Sequence, residues 1–315
     1  MFIVPLQGMD SKEDNRMKKR QLGSSDLFVT EISLGGMSLS TDKNDAASII
    51  DMAIDAGINT IDTADLYDFG VNEEVIGSIL GKRRQDLVLA TKVGNRWTAG
   101  VEGWRWDASP SYIKEAIHAS LKRLNTDYLD VYQLHGGTIE DDWDDIIETF
   151  ESLKKEGLIR AYGISSIRPN VLKRFLPASS AKSVMMQYSA LDRRPEEWLD
   201  FIVSEGASVV TRGTVAKGLL TNEWAERVGR ANGYNNYTAE ELHTTLAKLA
   251  AHYGDLHALA LAFNLKEPAI ASTVIGASSR QQLEETLVAY EKAKLITDFQ
   301  VAQELTKSEK YVDHR

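Results

Sequence analysis

Four residues with complementary acid–base chemistry follow three successive apolar runs of the chain. Asp62 and Tyr67 come after one β-branched run, and Lys92 and His135 end the next two. A phenol ordinarily has a pKa near 10, which is high for an acid that must work at neutral pH. An ammonium group within about 4–6 Å stabilises the phenolate and makes a phenol a stronger acid. This combination of residue types predicts protonation of a carbonyl oxygen.

Each of the four residues has a place in such a reaction. Tyr67 would donate the proton, and Lys92 would stabilise the phenolate that remains. Asp62 would hold Lys92 charged and oriented, while His135 would donate to the substrate oxygen or relay its proton. Taken singly, each has a structural explanation: an ion pair, a core histidine or a turn residue. Their shared position at the ends of successive strands favours the functional interpretation.

The elements that must position these residues alternate between strand and helix patterns. Apolar residues recur at helical spacing within 46–53, and Ser109 followed by Pro110 marks the start of another helix. Eight strand-then-helix units fit this length, and every crossover is long enough for a parallel connection. The sequence therefore predicts an α/β fold, a single (β/α)8 TIM barrel. In such a barrel, the strand ends that carry the four residues face one rim.

Three features lie outside the regular repeat. Residues 18–21 and 27–29 flank a turn-like segment and predict an N-terminal β-hairpin. Extended loops are expected after strands 3 and 7, the second formed by the polar residues 221–257, which either bind a ligand or pad the surface. Residues 1–16 are predicted to be a loosely ordered extension, and 17–315 the barrel domain.

Composition excludes several classes of protein. The 315 residues carry a net charge of -10 and contain no cysteine. The negative charge argues against a nucleic-acid partner, and the missing cysteines exclude disulfides and thiolate catalysis. No apolar run reaches the roughly 18 residues of a membrane span, and the acidic N-terminus does not resemble a secretory signal. We therefore expect a cytoplasmic protein.

The sequence resembles the aldo-keto reductase family from Lys18 to about Tyr290. The matching motifs are D-T-A-D-L-Y (62–67), T-K (91–92), D-Y-L-D-V-Y-Q-L-H (127–135), G-I-S (163–165), Q-Y-S (187–189), K-G-L-L (217–220) and G-A-S-S-R-Q-Q-L-E-E (276–285). The resemblance implies a bacterial enzyme that reduces aldehydes and ketones to alcohols by hydride transfer from NADPH. It also implies that Tyr67 is the general acid.

Residues 276–280 open the last predicted helix with backbone N–H groups, hydroxyls and a guanidinium, which suit a phosphate. A serine-capped surface helix is the alternative. By resemblance, Ser278, Arg280 and Gln282 would hold the adenosine 2′-phosphate, and Glu285 would lie beside the adenine. The cofactor contacts that the resemblance implies are Gly36, Met37, Asp62, Ser165, Ser166, Gln187, Arg212, Gly213, Thr214, Lys217, Gly218, Leu219, Gly276, Ala277, Ser278, Arg280, Gln282, Glu285 and Thr286.

Four positions depart from the family pattern. Asp68 follows the tyrosine where glycine is common, Ser166 replaces an asparagine, and Thr286 replaces another near the adenine. Arg212-Gly213-Thr214 stands in place of a Tyr-Ser-Pro pattern whose ring stacks under the nicotinamide. Because a planar guanidinium can also stack, we expect Arg212 to take that role.

The loop after Lys92 contains Trp97, Trp104 and Trp106. These side chains are predicted to wall the substrate pocket and to favour a bulky or aromatic carbonyl, although simple packing of a long loop would also explain them. The acidic run at 140–145 suits a helix start better than a metal site. No metal is predicted.

Two rival functions stay open. A Schiff-base aldolase could use Lys92, although Asp62 would keep that amine charged. A non-catalytic nicotinamide-binding regulatory subunit is the other, and the presence of all four polar residues disfavours it. The expected partner is a small-molecule carbonyl rather than nucleic acid or membrane, with the chain a monomer or a weak homo-oligomer.

Overall fold

The computed structural model describes residues 17–315, and eight parallel strands in it form a closed barrel. The strands are β1 (Ile32–Gly35), β2 (Thr60–Asp62), β3 (Val88–Val93), β4 (Leu129–Leu134), β5 (Ile159–Ser165), β6 (Ser183–Gln187), β7 (Ser208–Arg212) and β8 (Ile270–Gly276). Neighbours in the chain are neighbours in the barrel, and β8 pairs with β1 to close it. The predicted (β/α)8 barrel is confirmed. The predicted extension at 1–16 lies outside the described residues.

Helices follow each strand and cover the barrel. They are α1 (Lys43–Asp55), α2 (Val71–Leu80), α3 (Pro110–Arg123), α4 (Trp143–Lys155), α5 (Pro169–Phe175), α6 (Leu199–Ser204), α7 (Trp224–Arg230), α8 (Ala239–Tyr253), α9 (Leu256–Leu265), α10 (Arg280–Ala293) and α11 (Gln300–Leu305). The side chain of Ser109 caps α3, with Pro110 in the first turn, as the sequence predicts. No helix within 17–315 combines the length and apolar character that crossing a membrane requires.

The predicted N-terminal hairpin is present and closes one end of the barrel. Its strands, Lys19–Gln21 and Phe28–Thr30, pair in antiparallel fashion. Leu22, Leu27 and Val29 are buried in a small apolar cluster with side chains of the barrel interior. Because the hairpin covers this end, the active-site groups are left to the opposite rim, where the strands end.

The loops after β3 and β7 are extended, as predicted. The first contains an antiparallel pair, Asn95–Arg96 with Arg105–Trp106. The second contains α7 and α8, and α8 begins with a capping box between Thr238 and Glu241. It buries Leu242, Leu246 and Leu249, so much of this polar segment packs as a helix.

Candidate active site

Asp62 and Lys92 form a buried ion pair at the ends of β2 and β3. The Lys92 side chain is 0% exposed, and its Nζ lies 2.7 Å from Asp62 Oδ2. The same ammonium donates to the backbone carbonyl of Thr63 at 2.8 Å. Burial alone would lower the pKa of Lys92, but Asp62 and Tyr67 outweigh it and raise the pKa above its ordinary value. The ammonium is therefore charged at neutral pH.

The Tyr67 hydroxyl completes a chain of contacts with this pair. Lys92 Nζ donates to Tyr67 Oη at 3.4 Å and lies 5.1 Å from the ring centre. The turn that presents the ring is strained, because Asp68 (φ 48°) and Phe69 (φ 52°) have left-handed backbone conformations. Gly70 follows with φ 90°, which glycine adopts freely. The structure thus brings the predicted phenol and ammonium together.

His135 follows β4 and faces the tyrosine. The two ring centres are 6.1 Å apart with an interplanar angle of 84°, an edge-on contact. Burial, with Lys92 and Arg212 nearby, lowers the pKa of His135 to about 3. The imidazole is therefore neutral at pH 7, and one ring nitrogen carries a hydrogen that it can donate. All four residues that the sequence predicts to act together meet at one rim.

Asn72 has the residue type of a helix N-cap and lies at the start of α2, yet it does not cap that helix. Gly70 occupies the cap position, and no side chain caps the helix there. Instead, Asn72 accepts from the Thr63 hydroxyl at 2.6 Å and donates to the Gly36 carbonyl at 2.8 Å. The amide therefore ties together the loops after β1 and β2, directly behind Asp62.

Two of the three tryptophans lie against the strand ends of the site. Trp97 donates its indole N–H to the backbone carbonyl of Asp65 at 2.9 Å. Trp106 donates to Asp141 at 2.9 Å, and its ring covers Gly94 and Gly136, where an added Cβ would come within 2.6 and 3.0 Å of it. These glycines adjoin β3 and His135. Trp104 lies in the same loop after β3, next to the strand Arg105–Trp106, and is 56% exposed.

The residues predicted to bind the nicotinamide end adjacent strands. Ser165, Gln187 and Arg212 are the last residues of β5, β6 and β7. Arg212, exposed on the rim, donates to Gln187 Oε1 at 3.2 Å. The Gln187 amide nitrogen donates to Asp192 at 3.1 Å and to Tyr234 at 3.2 Å. A ligand amide that bound Gln187 would replace some of these bonds.

Several other predicted contacts follow the same strands. Gly36 and Met37 form the turn after β1, and Met37 is 68% exposed. Ser166 is buried and accepts from the backbone N–H of Arg168 at 3.2 Å. Gly213 follows β7, and the next residue, Thr214, is buried, with a hydroxyl that has no hydrogen-bond partner among residues 17–315. A buried free hydroxyl is unusual and marks a position where a ligand can donate or accept.

A cleft of about 560 Å³ opens between the loops after β6 and β7. Three of the predicted cofactor contacts line this cleft: Gln187, Lys217 and Leu219. Gly218, another predicted contact, lies between the last two in the chain. Sequence reasoning missed the other lining side chains, which include Arg194, Arg227, Arg230 and Tyr234. The basic residues of the long loop after β7 were the sequence signal that could have indicated this lining.

The predicted phosphate cradle lies at the start of α10, after Gly276 and Ala277. Ser279 caps the helix, and Gln282 Oε1 accepts from the backbone N–H of Ser278 at 2.9 Å. Arg280 is exposed and donates to the carbonyl of Ser48 on α1 at 2.9 Å. Glu285 is exposed one turn further on, whereas Thr286 is buried and donates to the Gln282 carbonyl at 2.9 Å. Hydroxyls, an amide and a guanidinium therefore share an accessible surface.

Comparison with known proteins agrees with this geometry. The model of the Aldo/keto reductase family matches residues 31–306. An uncharacterized oxidoreductase of Bacillus subtilis (strain 168), YqkF, is 51% identical over 95% of this chain and 100% of its own length. The holo form of aldo-keto reductase AKR11C1 from Bacillus halodurans superposes with a TM-score of 0.87, at 50% identity, over 95% of this chain and 100% of that one.

A more distant relative is the NADH-specific methylglyoxal reductase of Escherichia coli (strain K12). It is 30% identical over 87% of this chain and 93% of its own length. The family model covers most of the chain, and the relatives match nearly end to end. This chain belongs to the aldo/keto reductase family of oxidoreductases, which reduce carbonyl groups with a nicotinamide cofactor.

Proposed function

We propose that this chain reduces aldehydes and ketones to alcohols with NADPH, using Tyr67 as the general acid. The observation that carries the proposal is the contact of 3.4 Å between the Tyr67 hydroxyl and a fully buried, charged lysine. An ammonium in that position stabilises the phenolate that forms as the proton leaves. A rate of NADPH oxidation that depends on an added carbonyl, and is lost in Tyr67→Phe, tests it.

Each polar group then has one task. Tyr67 gives its proton to the carbonyl oxygen, and Lys92 stabilises the resulting negative charge. Asp62 keeps Lys92 protonated and fixes its position. His135 is neutral, so it donates a hydrogen bond to the same oxygen without repelling Lys92. NADPH, when bound, supplies the hydride that reduces the carbonyl carbon.

The residues around the rim suit a nicotinamide dinucleotide. The free, buried hydroxyl of Thr214 and the amide of Gln187 offer partners for polar groups of the cofactor. Arg212 would stack its planar guanidinium on the nicotinamide. Ser278, Arg280 and Gln282 would hold the 2′-phosphate at the start of α10, where the helix N-terminus favours an anion.

Replacing Arg280 with alanine should weaken NADPH binding by about tenfold or more, because a charge-assisted contact to phosphate is worth roughly 1.5–3 kcal/mol. NADH binding should be unchanged, since NADH has no 2′-phosphate. Cofactor fluorescence titrations would measure both dissociation constants. Lys292→Ala is the matched control, because Lys292 lies at the other end of α10 in a surface pair with Asp255. Equal losses for the two cofactors would contradict the assignment.

The rim is divided by chemistry in a way that supports an apolar substrate. The loops after β1 to β5 each expose a large apolar side chain, namely Met37, Phe69, Trp104, Ile139 and Ile167. The loops after β6 to β8 carry a group of cations: Arg194, Arg212, Lys217, Arg227, Arg230 and Arg280. The arginines of the loop after β3, Arg96 and Arg105, are instead paired with Asp107. The cationic arc suits the cofactor phosphates, so the apolar arc is left for the carbonyl substrate. A bulky or aromatic carbonyl fits that surface.

Trp106→Ala should raise the Michaelis constant for aromatic carbonyls by about tenfold or more, because it removes apolar contact area beside His135. Small aliphatic aldehydes should be little affected. Steady-state kinetics with a panel of aromatic, aliphatic and sugar aldehydes would measure the difference. If Trp104→Ala and Trp106→Ala both leave every Michaelis constant unchanged, these side chains do not wall the pocket.

Two alternatives remain testable. A Schiff-base aldolase needs a neutral amine at Lys92, and the raised pKa of that lysine disfavours it. Borohydride trapping of a covalent substrate adduct would revive it. A regulatory subunit would bind NADPH tightly without turnover.

We also propose a cytoplasmic location, in keeping with the absence of cysteine, and a monomer or weak homo-oligomer that acts on small-molecule carbonyls.

A further inference from the structure

Asp65 is a buried carboxyl on the loop between Asp62 and Tyr67, and the proposed mechanism does not use it. It is 1% exposed. Its Oδ2 lies 3.3 Å from the hydroxyl of Tyr112 on α3. Its Oδ1 is buried and has no hydrogen-bond partner among residues 17–315. A carboxylate so poorly solvated is costly to bury, whereas a neutral acid is not.

The nearest charged groups make the carboxylate less favourable still. Glu73 on α2 is 0% exposed, and its charge disfavours a carboxylate at Asp65. Arg123 on α3 donates to Glu73 Oε2 at 2.7 Å, and Thr91 donates to Glu73 Oε1 at 2.6 Å. Arg123, the cation whose charge acts on Asp65 among residues 17–315, is thus committed to Glu73. Two carboxyls beside one cation are stable when one of them keeps its proton, and Asp65 has the fewer partners.

The remaining titratable neighbours do not change this balance. Lys92 directs its ammonium to Asp62. Tyr112 and the fully buried Tyr132 of β4 both have a pKa raised by burial, so both are neutral. Arg96 and Asp107 face Tyr112 from its outer side and pair with each other. Burial, followed by Glu73, raises the pKa of Asp65 to about 8.

The backbone of Asp65 connects the parts of the site that must stay aligned. Its N–H donates to the carbonyl of Lys92 at 3.3 Å, and its carbonyl accepts the indole N–H of Trp97 at 2.9 Å. Immediately after Tyr67, Asp68 and Phe69 hold left-handed backbone conformations, which are strained in residues other than glycine. Such a turn persists only where its surroundings fix it.

We propose that Asp65 is a positioning residue, a neutral carboxylic acid whose contact with Tyr112 fixes the strained turn that presents Tyr67. Loss of its proton to solvent places a second carboxylate beside Glu73 and loosens the turn and Trp97. The functional consequence rests on the proposed role of Tyr67 as the acid. The protonation state of Asp65 and its effect on Trp97 do not depend on that role.

The test compares the full-length protein with Asp65→Asn, in which a neutral amide replaces the neutral acid. Both proteins also carry Tyr67→Phe, so that the titration of the phenol does not contribute. Tryptophan fluorescence should titrate with a midpoint near pH 8 when Asp65 is present and should show no such step in Asp65→Asn. Asp68→Asn, which removes an exposed carboxyl of the same turn, should leave the step in place.

Stability gives a second readout. The folded protein keeps the Asp65 proton up to about pH 8, whereas the unfolded chain loses it near pH 4. The melting temperature with Asp65 should therefore fall relative to that of Asp65→Asn as pH rises from 4 to 8. A fluorescence step in both proteins, or parallel melting curves, would overturn the proposal. If Asp65→Asn does not fold, Tyr112→Phe must move the fluorescence midpoint to higher pH, and an unmoved midpoint would equally overturn it.

These readouts need no turnover, so they separate the two proposals. A pH 8 step with full activity in Tyr67→Phe would overturn the role of Tyr67 and leave the neutral Asp65 standing. With Tyr67 intact, the Asp65→Asn variant should retain activity at pH 7. Its kcat should fall less between pH 7 and 9 than the kcat of the protein that keeps Asp65. An identical alkaline loss in both proteins would contradict the effect of Asp65 on the turn.

Discussion

Replacing Tyr67 with phenylalanine should lower kcat for carbonyl reduction by about 10²–10⁴-fold, the range typical of a lost general acid. The substitution removes the hydroxyl that lies 3.4 Å from Lys92 and keeps the ring that contacts His135 edge-on. The fold and the cofactor site should therefore be preserved. The decrease would be measured as the initial rate of NADPH oxidation with saturating aldehyde.

The control for this prediction is a tyrosine of the same chain outside the rim. Tyr253 donates to the backbone carbonyl of Asp298, so Tyr253→Phe should leave kcat unchanged. NADPH binding by Tyr67→Phe should match that of the original protein. A full rate of reduction without the Tyr67 hydroxyl would exclude this residue as the acid.

Replacing Lys92 with methionine should both abolish reduction and lower the free energy of unfolding by about 3–5 kcal/mol. The activity is lost because no cation then stabilises the phenolate. The stability is lost because Asp62 stays buried without its partner, and its second oxygen has no hydrogen bond among residues 17–315 even with Lys92 in place. Denaturant titration at pH 7 would give the stability change.

The double variant Asp62→Asn with Lys92→Met separates the two effects. It removes both charges, so it should recover much of the lost stability, because the larger penalty belongs to an uncompensated charge. It should not recover activity. If Lys92→Met alone is as stable as the original protein, the ion pair is not buried in the way that the structure indicates.

The barrel and the four rim residues could be predicted because their signals are local. Strand and helix periodicities lie within short windows, and parallel strands place the end of every strand at the same rim. Asp62, Lys92 and His135 are therefore assigned to one site without any knowledge of side-chain packing. Tyr67 follows as the phenol on the connecting loop.

The supporting contacts could not be predicted in the same way, because their partners are far apart in sequence. The residue type and position of Asn72 favour a helix cap, yet its amide forms hydrogen bonds with Gly36 and Thr63 instead. Glu73 suits a helix start by charge, but Arg123 on the next helix determines its role. No spacing rule relates residues 73 and 123, so the chemistry around Asp65 emerges only from the packed helices.

The pairing of β8 with β1 has a consequence for how the chain folds during synthesis. Thr273 to Gly276 pair with Ile32 to Gly35, and Arg20 donates to the carbonyl of Ile270 at 2.8 Å, 250 positions along the chain. Until the ribosome has released those late residues, β1 is an unpaired edge that can pair with another nascent chain. The last step of folding must then be slow and aggregation-prone, and shortening the chain before β8 should yield insoluble protein rather than a smaller barrel.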